Sequence, residues 1–296
     1  MMAFLRADKA DMERTAAAAE HRPVFEGVSR SLQANTEAFF GHRKEAERLN
    51  RLAVESALRD DDWESAAGYL LAGALQAAEF GDRHRAQNLV EQALAYDTGK
   101  DTRTLAALVL ARIGQRRRAL EFANRLERQF RANTLLQSYW LPAVRAAAAL
   151  ESGRPKQALE FLQIASSYDL ASPEPPGEAY LYPVLLRGLA YLQLKQSDQA
   201  EIQFRKILDH PGIALNLPVG AKARLGLARS CALKANTTVV SVREHENSEQ
   251  SGSHDQPSRQ ADLLKARDAY QRFFALWADD GIPVVREARI EYRHLH

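Results

Sequence analysis

Leu71, Leu75 and Ala78 fall on one face of a predicted helix, and Leu89, Ala93 and Tyr96 on one face of the next, with the polar turn FGDRHR between them. Small residues punctuate this helical pattern in pairs twelve positions apart: Ala34 and Ala46, Ala74 and Ala86, Ala107 and Ala119, Ala146 and Ala158, Gly188 and Ala200. Seven residues after the first member of each pair stand Gly41, Gly81, Gly114, Gly153 and Lys195. A glycine in such a turn takes the left-handed conformation that ends a helix. Each unit therefore reads as two antiparallel helices that approach closely where the paired small residues meet. Ala53, Ala93, Leu126, Ala165 and Ile207, seven residues beyond the second members, are placed to face the next hairpin. Successive units start 40, 33, 39 and 42 residues apart, so a two-helix core recurs with connections of variable length.

A sixth unit emerges if an insertion is allowed. Ala228 and Ala266 are 38 residues apart rather than twelve, with a turn expected at Ala235 and 26 extra residues in TTVVSVREHENSEQSGSHDQPSRQAD. That stretch is polar and Ser-rich, which predicts a flexible loop. A helix from about Asp8 to Glu20, and another starting at Pro23, are expected to cap the stack, and SPEPPG at 172–177 reads as a longer connection. The predicted architecture is all-α: one α-α superhelix of about six helical hairpins. The expected divisions are an N-terminal cap over 1–27, repeat hairpins over 28–236, a flexible insertion over 237–262, and the last repeat helix with a C-terminal helix over 263–296.

Composition supports a helical, core-forming chain. Of 296 residues 46% are hydrophobic and 26% charged, with 15 glycines and 11 prolines. A formal charge of +2, from 40 basic and 38 acidic residues, argues against a dedicated nucleic-acid binder. Cys231 is the single cysteine, set in the apolar stretch LARSCALK, so it is expected to be a small core residue. No signal-peptide core and no run of 18 apolar residues occurs, which leads to the expectation of a cytoplasmic chain without a membrane segment.

These units resemble a tetratricopeptide-repeat array, in which small residues at the eighth and twentieth positions let the two helices pack. The best match is AYLQLKQSDQAEIQFRKILDHPG, with Gly188, Tyr191, Ala200, Phe204, Ile207 and Pro211 near the family's pattern; no unit has the usual tryptophan at its fourth position. TEAFFG, AVESALR, TLLQSYWLP, LYPVLLRGLAYL, FRKILDHPGI, LGLARSCAL and AYQRFFALW resemble, more narrowly, the tetratricopeptide region behind the kinase domain of some soil-bacterial serine/threonine kinases. The kinase itself is missing: there is no Gly-rich loop, Val-Ala-Ile-Lys strand, His-Arg-Asp loop or Asp-Phe-Gly. The resemblance implies a binding module, or a detached regulatory region of such a kinase; membership in a membrane-anchored kinase would make it extracytoplasmic.

No phosphate loop, His-Glu-x-x-His or nucleophile elbow is found, so no catalytic residue, cofactor or metal is expected. Asp60, Asp61, Asp62 and Glu64 precede a helix and suit its positive end; Arg116, Arg117 and Arg118 suit a solvated face. His210 suits a helix end. A stacked array offers a concave groove lined by the first helix of each hairpin. Leu185, Leu189 and Leu192 are expected there, with Trp140 as an aromatic contact and Arg112, Arg145, Arg187 and Arg229 as charged ones. The expected function is a noncatalytic scaffold or adaptor whose groove takes a peptide or helix of a protein partner, with the resemblance implying a place in kinase signalling.

Overall fold

The computed structural model describes residues 2–20, 23–171, 179–246 and 255–295. Within them the chain is all-α, sixteen α-helices and no strand. Two N-terminal helices, α1 (Met2–Leu5) and α2 (Lys9–Glu20), precede the hairpins. The first five hairpins are α3 (Pro23–Phe39) with α4 (Arg43–Arg59), α5 (Trp63–Phe80) with α6 (Arg83–Tyr96), α7 (Lys100–Arg112) with α8 (Arg116–Gln129), α9 (Leu141–Leu150) with α10 (Pro155–Leu162), and α11 (Tyr182–Gln193) with α12 (Ser197–Leu208). The short α13 (Pro211–Ala214) leads to the last pair, α14 (Pro218–Glu246) and α15 (Asp255–Leu276), and then to α16 (Pro283–Arg293).

The local code acts as the spacing predicts. Ala34, Ala46, Ala74, Ala86, Ala107, Ala119, Ala146, Ala158, Ala200, Ala228 and Ala266 are all fully buried. At Gly188 no side chain would fit, since an added Cβ would lie 2.6 Å from the Phe204 ring of the facing helix. The first five predicted turns share one closure: His42, Asp82, Gln115, Arg154 and Gln196 donate their N–H to the carbonyl five residues back at 2.8–2.9 Å. That bond requires a left-handed residue just before the donor, and Gly41, Gly81, Gly114 and Gly153 have φ of 76°, 89°, 85° and 65°. Lys195 does the same at φ 58° with a Cβ. Lys195→Gly is therefore expected to raise stability by about 0.5–1 kcal/mol, read from urea unfolding, and a loss of stability would contradict the strain argument.

Three boundaries differ from expectation. The helix from Pro23 is not a cap but the first helix of the first hairpin, carrying Ala34, so a boundary at 27 falls inside α3. Nor does the chain turn at Ala235, which is buried within a continuous α14. With no glycine there to go left-handed, the helix runs on to Glu246, and α15 starts at Asp255; much of the 237–262 insertion lengthens the hairpin's two arms, while 247–254 lie outside the described residues. The predicted SPEPPG connection also lies outside them. A π-turn, Leu136–Trp140, runs straight into α9, and Asn133 Oδ1 caps it by accepting from Leu136 N at 2.8 Å.

The last elements pack back onto the first. Trp277, directly after α15, is fully buried, its Nε1 donates to Phe39 O at 2.9 Å, and its ring lies 4.9 Å from that of Phe80. Just before α14, Asn216 Nδ2 donates to Leu32 O at 2.8 Å and to Thr36 Oγ1 at 2.9 Å, both on α3. The N-terminal end of α14 thus meets the C-terminal half of α3, and the array is closed end against end.

Candidate functional site

Closure fills the place where the sequence put an open groove. Leu71, Leu75, Leu108, Ala143, Ala147 and Leu185, from four successive first helices, are at most 1% exposed. At the centre stands Glu79, in the last turn of α5, with a side chain 0% exposed. Arg112, at the end of α7, grips it bidentately, Nε to Oε1 at 2.9 Å and Nη2 to Oε2 at 3.1 Å. Lys222 of α14 lies 3.3 Å from Oε2 and donates to the Glu79 carbonyl at 3.3 Å, and the Tyr182 hydroxyl of α11 donates to Oε1 at 3.2 Å. Four first helices thus converge on one carboxylate.

Two buried cations face one buried anion, with Glu151 3.9 Å from Arg112 at the edge of the cluster. Burial by itself would push the Glu79 carboxyl up, but Arg112 and Lys222 together hold it at about 2. Arg112 is desolvated too, yet Glu79 keeps its guanidinium firmly charged. Lys222 goes the other way: burial pulls its ammonium below the usual lysine range, and Arg112 repels it while Glu79 compensates only in part. The Tyr182 hydroxyl is pushed well up, by burial first and then by Glu79. A carboxylate so firmly ionised and sealed from solvent is a structural lock between hairpins rather than a general base.

The other residues expected in a groove are also engaged internally. Arg145 pairs with Glu127 of α8 at 2.8 Å. Arg187 makes a two-pronged contact with Asp169, which Lys206 also approaches at 2.9 Å. Arg229 holds α16 through Glu291 at 2.8 Å and Glu287 at 3.5 Å, and the Tyr270 hydroxyl donates to the same Glu291 at 2.7 Å. Trp140 is buried beside Tyr139 with ring centroids 4.7 Å apart, and its Nε1 has no acceptor among the described residues. Tyr139 in turn accepts the N–H of left-handed Leu181 at 3.0 Å. Leu189 and Leu192 are half-buried against the core, and Leu185 is inside it. The four arginines are therefore staples between neighbouring elements, and the aromatic pair is core. In a stack this tight, first-helix side chains meet other helices before they meet a ligand.

The remaining motifs fall into place locally. Asp62 caps α5 by accepting from Ser65 N at 3.0 Å, Arg118 pairs with Glu91, and His210 Nδ1 lies 2.8 Å from Lys206 O. Cys231 is buried and its thiol is pushed up by burial, away from reactivity. Among the described residues no group of three or more His, Cys, Asp or Glu could hold a metal, and no helix is long and apolar enough to cross a membrane.

Sequence reasoning missed Glu79 altogether. The available signal was a lone carboxylate in the apolar run LLAGALQAAEF, a pattern that asks for a buried partner. It also missed what is left exposed. On α3, Phe25, Val28 and Leu32 are 54%, 49% and 41% exposed, a stripe at i, i+3 and i+7. A cleft of about 510 Å³ also opens between α12, α14 and α15. No family model, curated protein or solved structure matches the chain.

Proposed function

We propose that the chain is a noncatalytic interaction scaffold that recruits an amphipathic helix of a protein partner onto α3. The observation that carries this reading is the exposed Phe25, Val28 and Leu32 stripe. Each of α5, α7, α9 and α11 packs against the second helix of the hairpin before it; α3 is the first in the series and has α2 in its place. Phe25, Val28 and Leu32 stay exposed although α2 packs against α3, and a partner helix with apolar anchors at the same spacing fits the stripe they form. The internally paired arginines and buried leucines support placing the contact there rather than on the inner face.

The test is capture from native lysate by the wild type and by Val28→Glu/Leu32→Glu, two exposed positions whose change leaves the core intact. The reading expects discrete partner bands that the double variant loses; the same bands captured by both proteins would sink it. The strings TLLQSYWLP, LYPVLLRGLAYL and FRKILDHPGI favour a second reading, a regulatory region of a bacterial serine/threonine kinase. An in-frame kinase adjoining this coding sequence supports that reading, and its absence removes it.

A further inference from the structure

We propose that the cleft between α12, α14 and α15 binds a small organic anion, a carboxylate or phosphate ester with an apolar body, whose acid group sits on Arg224. Three helix stripes form the walls: Glu201, Arg205 and Leu208 from α12, the floor of Arg224, Leu227 and Cys231 from α14, and Lys265, Asp268 and Arg272 from α15. The volume, about 510 Å³, falls within the range of about 300–1,000 Å³ typical of small-ligand sites.

Charge accounting singles out one group. Glu201 is taken by Arg205 at 2.7 Å, Asp268 by Arg272 at 2.8 Å, Asp262 by Lys265 at 3.8 Å, and Lys234 is held by Asp198 at 2.8 Å. Arg224 alone among the lining cations has no ion pair among the described residues, and its Nε is buried without an acceptor. Arg30, Arg43 and Arg187 share the buried Nε, but Arg43 and Arg187 are neutralised through their other nitrogens and Arg30 has a partner of its own. A half-buried guanidinium facing a cleft with nothing to neutralise it is costly, and an oxyanion supplies both the charge and the acceptors. Burial and the neighbouring Arg272 both weaken its hold on its proton, consistent with a site short of one negative charge. Leu208, Leu227, Cys231 and Ala269 supply the apolar surface, which favours an amphiphilic anion over free phosphate.

The experiment titrates the full chain by calorimetry with four probes: octanoate, octyl phosphate, inorganic phosphate and octylamine. Octanoate or octyl phosphate is expected to bind in the cleft. Arg224→Gln should weaken that binding at least about tenfold, with partial rescue in Arg224→Lys; circular dichroism checks that both variants fold. The proposal is overturned if neither amphiphilic anion binds, if the Gln variant binds as well as the wild type, or if octylamine or inorganic phosphate binds as tightly as octyl phosphate. None of these readouts involves α3, so the outcome is independent of partner capture there.

Discussion

Glu79→Gln is expected to destabilise the protein by about 3–5 kcal/mol, because it leaves Lys222 buried without its counter-charge and Arg112 with only the more distant Glu151, 3.9 Å away. The two carboxylate oxygens tie three helices to α5 at once, so no single rearrangement restores all the bonds. Lys222→Met should behave oppositely. Arg112 already neutralises Glu79 bidentately, and removing a desolvated extra cation is expected to be neutral or mildly stabilising at pH 7. Acid titration separates charge from shape. The Glu79 carboxyl titrates at about 2 in the folded chain against a reference of 4.5, so its contribution is complete above pH 4.5 and is lost as the pH falls from 4.5 toward 2. The amount at stake is on the order of 3 kcal/mol. Urea midpoints of wild type and Glu79→Gln should therefore converge as the pH drops through that window. A gap that stays constant from pH 7 to pH 3 would mean that the carboxylate acts through packing and not through charge.

Trp277→Ala is expected to cost about 3–5 kcal/mol, the range for emptying a large buried aromatic site. The ring packs on Phe80 and Phe273, and Gly41 exists in its left-handed turn partly because an added Cβ there would meet the Trp277 backbone at 3.0 Å. Loss of the indole also strips Phe39 O of its 2.9 Å donor. Since Trp277 joins the last hairpin to the first, the damage should appear at both ends of the chain. Hydrogen exchange should accelerate in α3 and α16 while α7 and α9 stay protected. Uniform acceleration across all helices, or a stability loss below about 1 kcal/mol, would show that the ends do not depend on this contact.

The hairpins were legible in the sequence because their determinants are local. A small-residue pair twelve positions apart, a glycine between them and a 3.6-residue apolar period are all satisfied within one helical pair, whatever the rest of the chain does. Where the local signal was absent, reading failed: at Ala235 polarity suggested a loop, yet nothing there can end a helix, and α14 continues. The π-turn at Leu136–Trp140 and the left-handed Leu181 left no trace in residue type, since neighbouring contacts impose them. The candidate sites were less legible. Arg112, Arg145, Arg187 and Arg229 were correctly placed on first helices, but their partners Glu79, Glu127, Asp169 and Glu291 lie 18 to 62 residues away in sequence. Pairing at that range cannot be seen in a period.

What the sequence determined by itself is the repeating unit: all-α hairpins, their turns and the faces their small residues bury. Tertiary structure alone decided that the array closes on itself, so that a presumed groove became a core and its arginines became staples. The reason is accumulation. Each hairpin contributes a small rotation set by side-chain packing with its neighbour, and only the sum over six hairpins of unequal length brings Trp277 to Phe39 and Lys222 to Glu79. That same sum determines which surfaces remain uncovered, the stripe on α3 and the cleft around Arg224.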